Sequence, residues 1–314
     1  MNDDGRVSAI VVTFHPRTEY LQNLAKIRAQ VDLLIVVDNG STEDELSQIR
    51  IASQQPGFNL FENGENLGIA AALNLGVREA QKAGCRWVAL FDQDSAVTDG
   101  FIATMIAEFQ TYSQQRKIVQ IVPRYLDPDT RIEQVVSSFE DGGVFLAITS
   151  GSLFSMEAFE RCGLFREDLF IYCVDDDYSL RIRKSGFFIG LCRNAVLLHQ
   201  PGHPTSRKML GKTVTTANYR AEVRYYYARN KVWMLRTYGR TFPRLVAPTL
   251  RELMTIPLKI ALMEDAPRKK IEMFIRGLAD GVAGRMGRLR RGACTGENLD
   301  NGILRPVSVP AKTD

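Results

Sequence analysis
Histidine and tryptophan are scarce in this chain, at three and two residues out of 314. Five cysteines, Cys85, Cys162, Cys173, Cys192 and Cys294, are scattered without a CxxC pair. An odd, dispersed set argues against a disulfide framework and against a zinc ribbon, and fits a reduced, cytosolic setting. No run of 18 apolar residues exists, so nothing reads as a membrane span. The opening "MNDDGRVSAIVV" lacks the basic and apolar regions of a signal peptide. A GxGxxG after the first apolar run is missing, which removes the dinucleotide fingerprint. "GKT" at 211–213 is no Walker A motif, because Ser206 stands where that motif needs glycine. There is no internal repeat and no Gly/Ser-rich or Pro-rich linker before residue 200. The formal net charge of +4 is too small to suggest nucleic acid. Positive charge instead gathers at 240–291, with 12 Lys/Arg against 5 Asp/Glu.

What is present alternates. "SAIVVTF" (8–14), "DLLIVVD" (32–38), "FNLFEN" (58–63) and "RWVALFD" (86–92) read as strands. The first two are near-continuous apolar runs, as parallel strands covered on both faces require. Helical spacing separates them: Tyr20, Leu21, Leu24 and Ile27 after a Thr18 N-cap, then "EDELSQIRIAS", then "LGIAAALNLGVREAQKAG" closed by Gly84. This order predicts an α/β fold with a parallel sheet. Beyond residue 115, "KIVQIVPRY", "GGVFLAITSGSLF", "FFIGL" and "AVLLH" read as further strands, with helices near 156–161 and 175–185. From about 217 the pattern is helical.

Ligands of open parallel sheets bind beyond the carboxyl ends of the strands. Those ends carry Thr13, Asp38, Asn66 and the pair Asp92 and Asp94. A carboxylate pair suits a hard divalent cation, Mg²⁺ or Mn²⁺. Such a cation lets a diphosphate approach otherwise repulsive carboxylates. Nucleotide, metal and diphosphate together describe an activated nucleotide donor. A second cluster, Asp175, Asp176 and Asp177, opens an amphipathic helix. Three acids there suit the helix dipole; they also offer a general base. Arg181 stands four residues after Asp177 and can pair with it. His199 and His203 share one loop after "AVLL", and imidazole is a ligand for Mn²⁺.

"VVTFHP", "VVDNGS" (36–41), "ENLGIAAALNLG" (65–76), "FDQDS" (91–95) and "DDDYSLRIRKSG" (175–186) together resemble family 2 glycosyltransferases of the GT-A fold. "LLHQPGHP", "YRAEVRYYYARN" and "IRGLADGVAGRMGR" are most similar to bacterial rhamnosyltransferases. The resemblance implies a Rossmann-like, mostly parallel sheet with helices on both faces over 1–205. A helical, basic region would follow at 206–295, and a loosely ordered tail at 296–314. It implies that Thr13, Asp38, Asn66 and Gly68 line the nucleotide pocket and that Asp92 sits by the ribose and metal. Asp94 would ligate the metal, with His199 as a further ligand. Asp175 becomes the base, with Asp176 and Asp177 as competitors, and Arg181 orients the cluster. Val174 stands where the family commonly has an acid. The implied reaction is inverting transfer, most like that of L-rhamnose from dTDP-L-rhamnose to a cell-surface polysaccharide or lipid-linked glycan. UDP- or GDP-linked donors and a non-catalytic nucleotide-sugar-binding protein are the alternatives. A sugar nucleotidyltransferase is disfavoured, because "FHPRTEY" has one arginine and no glycine for a triphosphate.

Near the end, Ile271, Ile275, Leu278, Val282, Met286 and Leu289 recur at helical steps among basic residues. Two readings follow. The segment 268–291 either packs on the catalytic domain or meets an anionic membrane surface on the cytoplasmic side. "YRAEVRYYYARN" either holds an acceptor diphosphate or sugar, or packs the tail.

Overall fold
Every residue of β1 (Val7–Thr13) and β2 (Leu33–Asp38) is buried. Strands this apolar need cover on both faces, which helices supply. The computed structural model describes residues 5–17, 20–128, 130–134, 136–198, 205–209, 212–216 and 218–289. The two buried strands alternate with α1 (Leu21–Arg28), α2 (Glu43–Ala52), β3 (Phe58–Glu62), α3 (Ile69–Lys82) and β4 (Trp87–Asp92). The four strands pair in parallel in the order β3-β2-β1-β4. Thr18, the expected cap of α1, lies outside the described residues. Helix α2 carries a reciprocal capping box between Thr42 and Glu45.

The chain then adds β5 (Ala96–Val97), α4 (Phe101–Ser113), β6 (Ile118–Leu126), β7 (Leu153–Ser155), α5 (Met156–Cys162), α6 (Val174–Lys184) and β8 (Phe188–Leu198). The sheet becomes eight-stranded, in the order β3-β2-β1-β4-β7-β6-β8-β5. β7 runs antiparallel to both β4 and β6, while β8 is parallel to β6. The expected mostly parallel α/β sheet is therefore present. Its core is set by large rings as well as aliphatics: Trp87 meets Phe109 of α4 edge-on at 4.7 Å between centroids. Truncating a buried residue such as Ile10 to alanine would cost about 2–5 kcal/mol.

Two expectations need correction here. "FFIGL" and "AVLLH" are one strand, β8, not two. Val122 pairs with Leu191 but Arg124 pairs with Val196, so Cys192–Ala195 bulge out of register. Glu108 of α4 holds the bulge, accepting from the Arg193 amide at 3.2 Å and the Asn194 side chain at 3.2 Å. "GGVFLAITSGSLF" forms a strand only at its end, as β7. Its Thr149–Ser152 stretch is a turn, closed by Ser152 N–H donating to Thr149 C=O at 3.0 Å.

The chain divides into two compact units, Met1–Phe170 with Val174–Gln200, and Ile171–Cys173 with Pro201–Asp314. The second unit opens with an antiparallel hairpin, β9 (Thr205–Met209) and β10 (Lys212–Thr216), rather than with helix. "TVTT" at 213–216 is β-branched throughout, which favours extended backbone over helix. Three helices follow: α7 (Ala221–Tyr238), α8 (Val246–Met263) and α9 (Pro267–Ala283). Gly277 and Gly281 let α9 lie directly against α7, because a Cβ at either would press onto the carbonyl oxygens of Tyr225 and Arg229. These glycines, which would weaken an isolated helix, serve close packing here. Glu264 lies buried between Arg224 and Lys270, with the Lys270 ammonium at 3.2 Å, and Thr216 donates to it at 2.5 Å. Among the described residues, no helix is long and apolar enough to cross a membrane.

Candidate active site
Parallel register carries the predicted polar residues to one edge of the first unit. Thr13 pairs with Asp38, Val12 with Asp92, and Asp38 with Glu62. Asp38 is 1% exposed, and its carboxylate is occupied. Oδ1 accepts from the Thr13 hydroxyl at 2.9 Å and the Ser41 hydroxyl at 2.5 Å. Oδ2 accepts from the amides of Gly40 at 3.0 Å and Ser41 at 2.8 Å. The side chain thus shapes the β2–α2 loop.

Asn39 joins that loop to the next. Its Nδ2 donates to Asn66 Oδ1 at 3.1 Å, and its Oδ1 accepts from Asn63 Nδ2 and from the Leu67 amide, both at 3.1 Å. Asn66 Oδ1 also accepts from the Gly68 amide at 2.9 Å. Gly68 has φ +89°, and a Cβ there would lie 2.7 Å from the Phe170 carbonyl oxygen. Only glycine fits this approach without strain. Asn39 and Asn63 are absent from the sequence prediction; "DNG" and "ENGEN" are turn signals that do not reveal an amide network.

"FDQDS" divides its labour residue by residue. Gln93 brackets Phe14, accepting from its amide at 2.9 Å and donating to its carbonyl at 3.3 Å. Ser95 is paired with Ser150 at 2.6 Å between hydroxyls. Ser150 also accepts from the Asp92 amide at 3.2 Å, and its hydroxyl bonds the Asp92 carboxylate. On the same turn, the Thr149 amide donates to the carboxylate of Asp175. The Thr149–Ser152 turn therefore touches one carboxylate from β4 and one from α6. Burial, then the charge of Asp94, pushes Asp92 up to about 7. Burial, then Asp176 and Asp92, pushes Asp175 up to about 7. Tyr125, buried beside both, is also raised, first by burial. Ser150 and Thr149 were not singled out in the sequence, since hydroxyls in a Gly-containing turn carry no periodic signal.

The three acids of α6 part company in the structure. Asp177 is 1% exposed and accepts from Arg181 Nε at 2.9 Å. Arg181 Nη1 also donates to Cys162 C=O at 2.6 Å, and its guanidinium lies 4.7 Å from the centroid of the Tyr178 ring. Asp175 and Asp176 are half-buried. Immediately before the helix, Phe170, Tyr172 and Cys173 adopt φ of +65°, +66° and +59°. Three non-glycine residues in the left-handed region store strain of about 1–3 kcal/mol each, a feature that clusters at functional sites. In the second unit, buried Asn230 donates to the carbonyls of Ile171 at 2.7 Å and Tyr172 at 2.9 Å. Arg229 Nε fixes the Asn230 amide at 2.9 Å. This part of "YRAEVRYYYARN" thus clamps the strained segment.

A cavity of about 210 Å³ opens beside this edge, lined by Thr13, Arg17, Tyr20, Asp44, Glu45 and Gln93 among others. It shares Thr13 and Gln93 with the site but holds neither Asp92 nor Asp94. Among the described residues, no three His, Cys, Asp or Glu side chains form a ready-made metal cage. His199 lies outside the described residues. The donor set nevertheless suits a hard cation: Asp92 and Asp94 crowd like charge, and Mg²⁺ typically takes only one or two carboxylates beside water and phosphate oxygens.

Residues 8–163 match the family described as Glycosyl transferase family 2. The chain belongs to that family. Along 303 residues it is 26% identical to the dTDP-rhamnosyl transferase RfbF of Shigella flexneri, covering 90% of this chain and 97% of that one. It is 28% identical over 226 residues to galactofuranosyltransferase GlfT1 of Mycobacterium tuberculosis, covering 65% of this chain and 73% of that one. Its fold is similar to that of the mannosyltransferase PcManGT from Pyrobaculum calidifontis, solved with GDP-Man and Mn²⁺. That likeness has a TM-score of 0.54 at 20% identity, over 91% of this chain and 76% of the other. As a family 2 glycosyltransferase of the GT-A fold, the protein carries its acidic strand end on β4 and its acidic helix start on α6.

Proposed function
We propose that this glycosyltransferase moves L-rhamnose from dTDP-L-rhamnose, with inversion, onto a cell-surface polysaccharide or lipid-linked glycan. The observation that carries the donor reading is the similarity to a dTDP-rhamnosyl transferase along 97% of that protein's length. The likeness to GlfT1, a galactofuranosyltransferase, supports the alternative that the donor carries a different sugar; UDP- and GDP-linked sugars are the candidates.

On this reading the work is divided as follows. Thr13, Asn66, Gly68 and the loop that Asp38 shapes receive the nucleotide. Asp94 would hold the metal, with Asp92 as the helper carboxylate nearer the ribose. A bound Mg²⁺ or Mn²⁺ would offset the charge of the departing diphosphate. Asp175 takes the proton of the acceptor hydroxyl as that oxygen bonds to the anomeric carbon and the bond to the diphosphate breaks. Asp175 is favoured over Asp177, because Asp177 is buried against Arg181. Arg181 fixes the helix start and thereby positions Asp175.

A thermal-shift screen of nucleotide sugars, with and without Mn²⁺, tests the proposal. The largest stabilisation is expected from dTDP-L-rhamnose with Mn²⁺, and Asp94→Ala is expected to abolish the metal-dependent part. A stronger response to a UDP or GDP sugar would replace the donor. An Mn²⁺ response unchanged in Asp94→Ala would remove the metal assignment.

A further inference from the structure
Helix α8 is apolar on two opposite sides. Its inner side buries Thr249, Ile260 and Met263, and half-buried Leu253 and Ile256 pack on a cluster of Ala228, Ile260 and Phe274. Its outer side exposes Leu250 at 47%, Met254 at 77%, Leu258 at 60% and Leu262 at 50%. Steps of four residues put these side chains on one stripe. Ala247 and Ala261 are exposed and border it, each three residues from a stripe leucine, Leu250 and Leu258. A helix that is apolar all round is ordinarily covered on all sides. Here one side is open, and α8 is not apolar enough to span a bilayer.

The charge around the stripe says what could cover it. Arg244, Arg251, Arg268 and Lys269 are exposed on α8, the start of α9 and the turns that lead into them, against exposed Asp265 and Glu272. The remaining acids here are engaged: Glu264 is buried between Arg224 and Lys270, Glu252 accepts from the Tyr227 hydroxyl at 2.6 Å and pairs with Lys231 at 3.2 Å, and Asp280 accepts from the Tyr225 hydroxyl at 2.8 Å and pairs with Arg285 at 3.1 Å. An apolar stripe with a cationic surround is the pattern of a helix lying in the plane of an anionic lipid surface. The arginine stems can cover apolar surface while their heads reach phosphate. A second copy is a poorer occupant. A two-fold contact would bring the same patch of each copy together and set the two cationic surrounds against one another.

We propose that α8 lays the Leu250–Met254–Leu258–Leu262 stripe on an anionic membrane surface, with the surrounding arginines and lysines on lipid phosphates. This moves the lipid contact expected of 268–291 onto a different helix. The reason lies in α9, where Phe274 is buried and Ile271 and Leu278 turn toward the cluster shared with α7 and α8. Ile275 and Val282 of α9 remain 58% and 67% exposed. The inference stands on the surface of the second unit alone and is independent of which sugar the enzyme transfers.

The test uses the full chain and sedimentation with vesicles of phosphatidylcholine, with or without phosphatidylglycerol. Wild type is expected to sediment with the phosphatidylglycerol vesicles, and less so at high salt. The double variant Met254→Glu, Leu258→Glu should lose at least ~10-fold in partitioning, while circular dichroism and melting temperature stay at wild-type values. Three results would overturn the proposal. One is equal sedimentation of variant and wild type. Another is no difference between the two vesicle compositions. The third is a wild-type dimer in ultracentrifugation that the double variant dissociates.

Discussion
The charge of Asp92, at the end of β4, raises the proton affinity of Asp175, in the first turn of α6. Both carboxylates are pushed up to about 7, each first by burial, from an ordinary 3.8. Folding therefore favours their protonated forms. That contribution is complete below pH 3.8 and is lost as pH rises through about 7. Asp92→Asn does not titrate, so its stability relative to wild type should grow between these limits. In metal-free protein at pH 8 the variant should melt higher by roughly 2–6 °C, for about 1–2 kcal/mol after discounting for partial exposure. The two should converge near pH 4. A variant that melts below wild type at pH 8 would contradict the crowding of these carboxylates.

Asp175 and Arg181 should separate by readout. Asp175→Asn keeps the volume and removes the base, so kcat should fall by about 10²–10⁴ while donor binding holds and the melting temperature at pH 8 does not fall. Arg181→Ala strands the Asp177 carboxylate in a buried site, which should cost about 3–5 kcal/mol of stability. Steady-state kinetics beside thermal melts distinguish the two. Transfer that survives in Asp175→Asn would send the search for the base to Asp176.

Asn230 offers a positional test. Its amide satisfies the carbonyls of Ile171 and Tyr172 within a strained segment, and Val174 and Asp175 follow directly in the chain. Asn230→Ala should lose about 1–3 kcal/mol and lower kcat more than it weakens donor binding. Hydrogen exchange should show faster amides at 171–173. Wild-type kcat in a destabilised Asn230→Ala protein would mean that the clamp only supports the fold.

Cys192 should be inert in the native protein. Burial, followed by its contact with the Glu108 carboxylate, pushes the thiol up to about 12. The reactive thiolate is then a minute fraction at pH 8. Alkylation followed by peptide mapping should find Cys192 unlabelled until denaturant is added. Labelling before unfolding would show that the bulge in β8 opens.

Much of this was legible in the sequence, for identifiable reasons. β1, β2 and β4 are buried on both faces and so read as unbroken apolar runs. β5 is two residues long and carries no period. β8 read as two strands because Arg193 and Asn194 interrupt it; only the Glu108 contacts from α4 reveal a bulge. Asp92, Asp94 and Asp175 announced themselves as charge where apolar runs end or helices begin. Their partners did not. Ser150, Asn39 and Asn63 act through hydrogen bonds made between loops, and such bonds depend on which strands become neighbours. The outward stripe of α8 was also hidden, because apolar residues at helical spacing do not say which side meets the core.

The position of β7 has a bearing on the order in which the molecule is made. It enters antiparallel between β4 and β6, two strands that leave the ribosome before it. Until residues 149–155 emerge, the nascent sheet has a gap at its centre, and Asp92 lacks the Ser150 hydroxyl. Asp175 is synthesised later still. The mutual repulsion of the carboxylates is therefore added after the surrounding strands exist to bear it. The early strands can therefore pair before that repulsion exists, because the second carboxylate arrives only after β7 has filled the gap between β4 and β6.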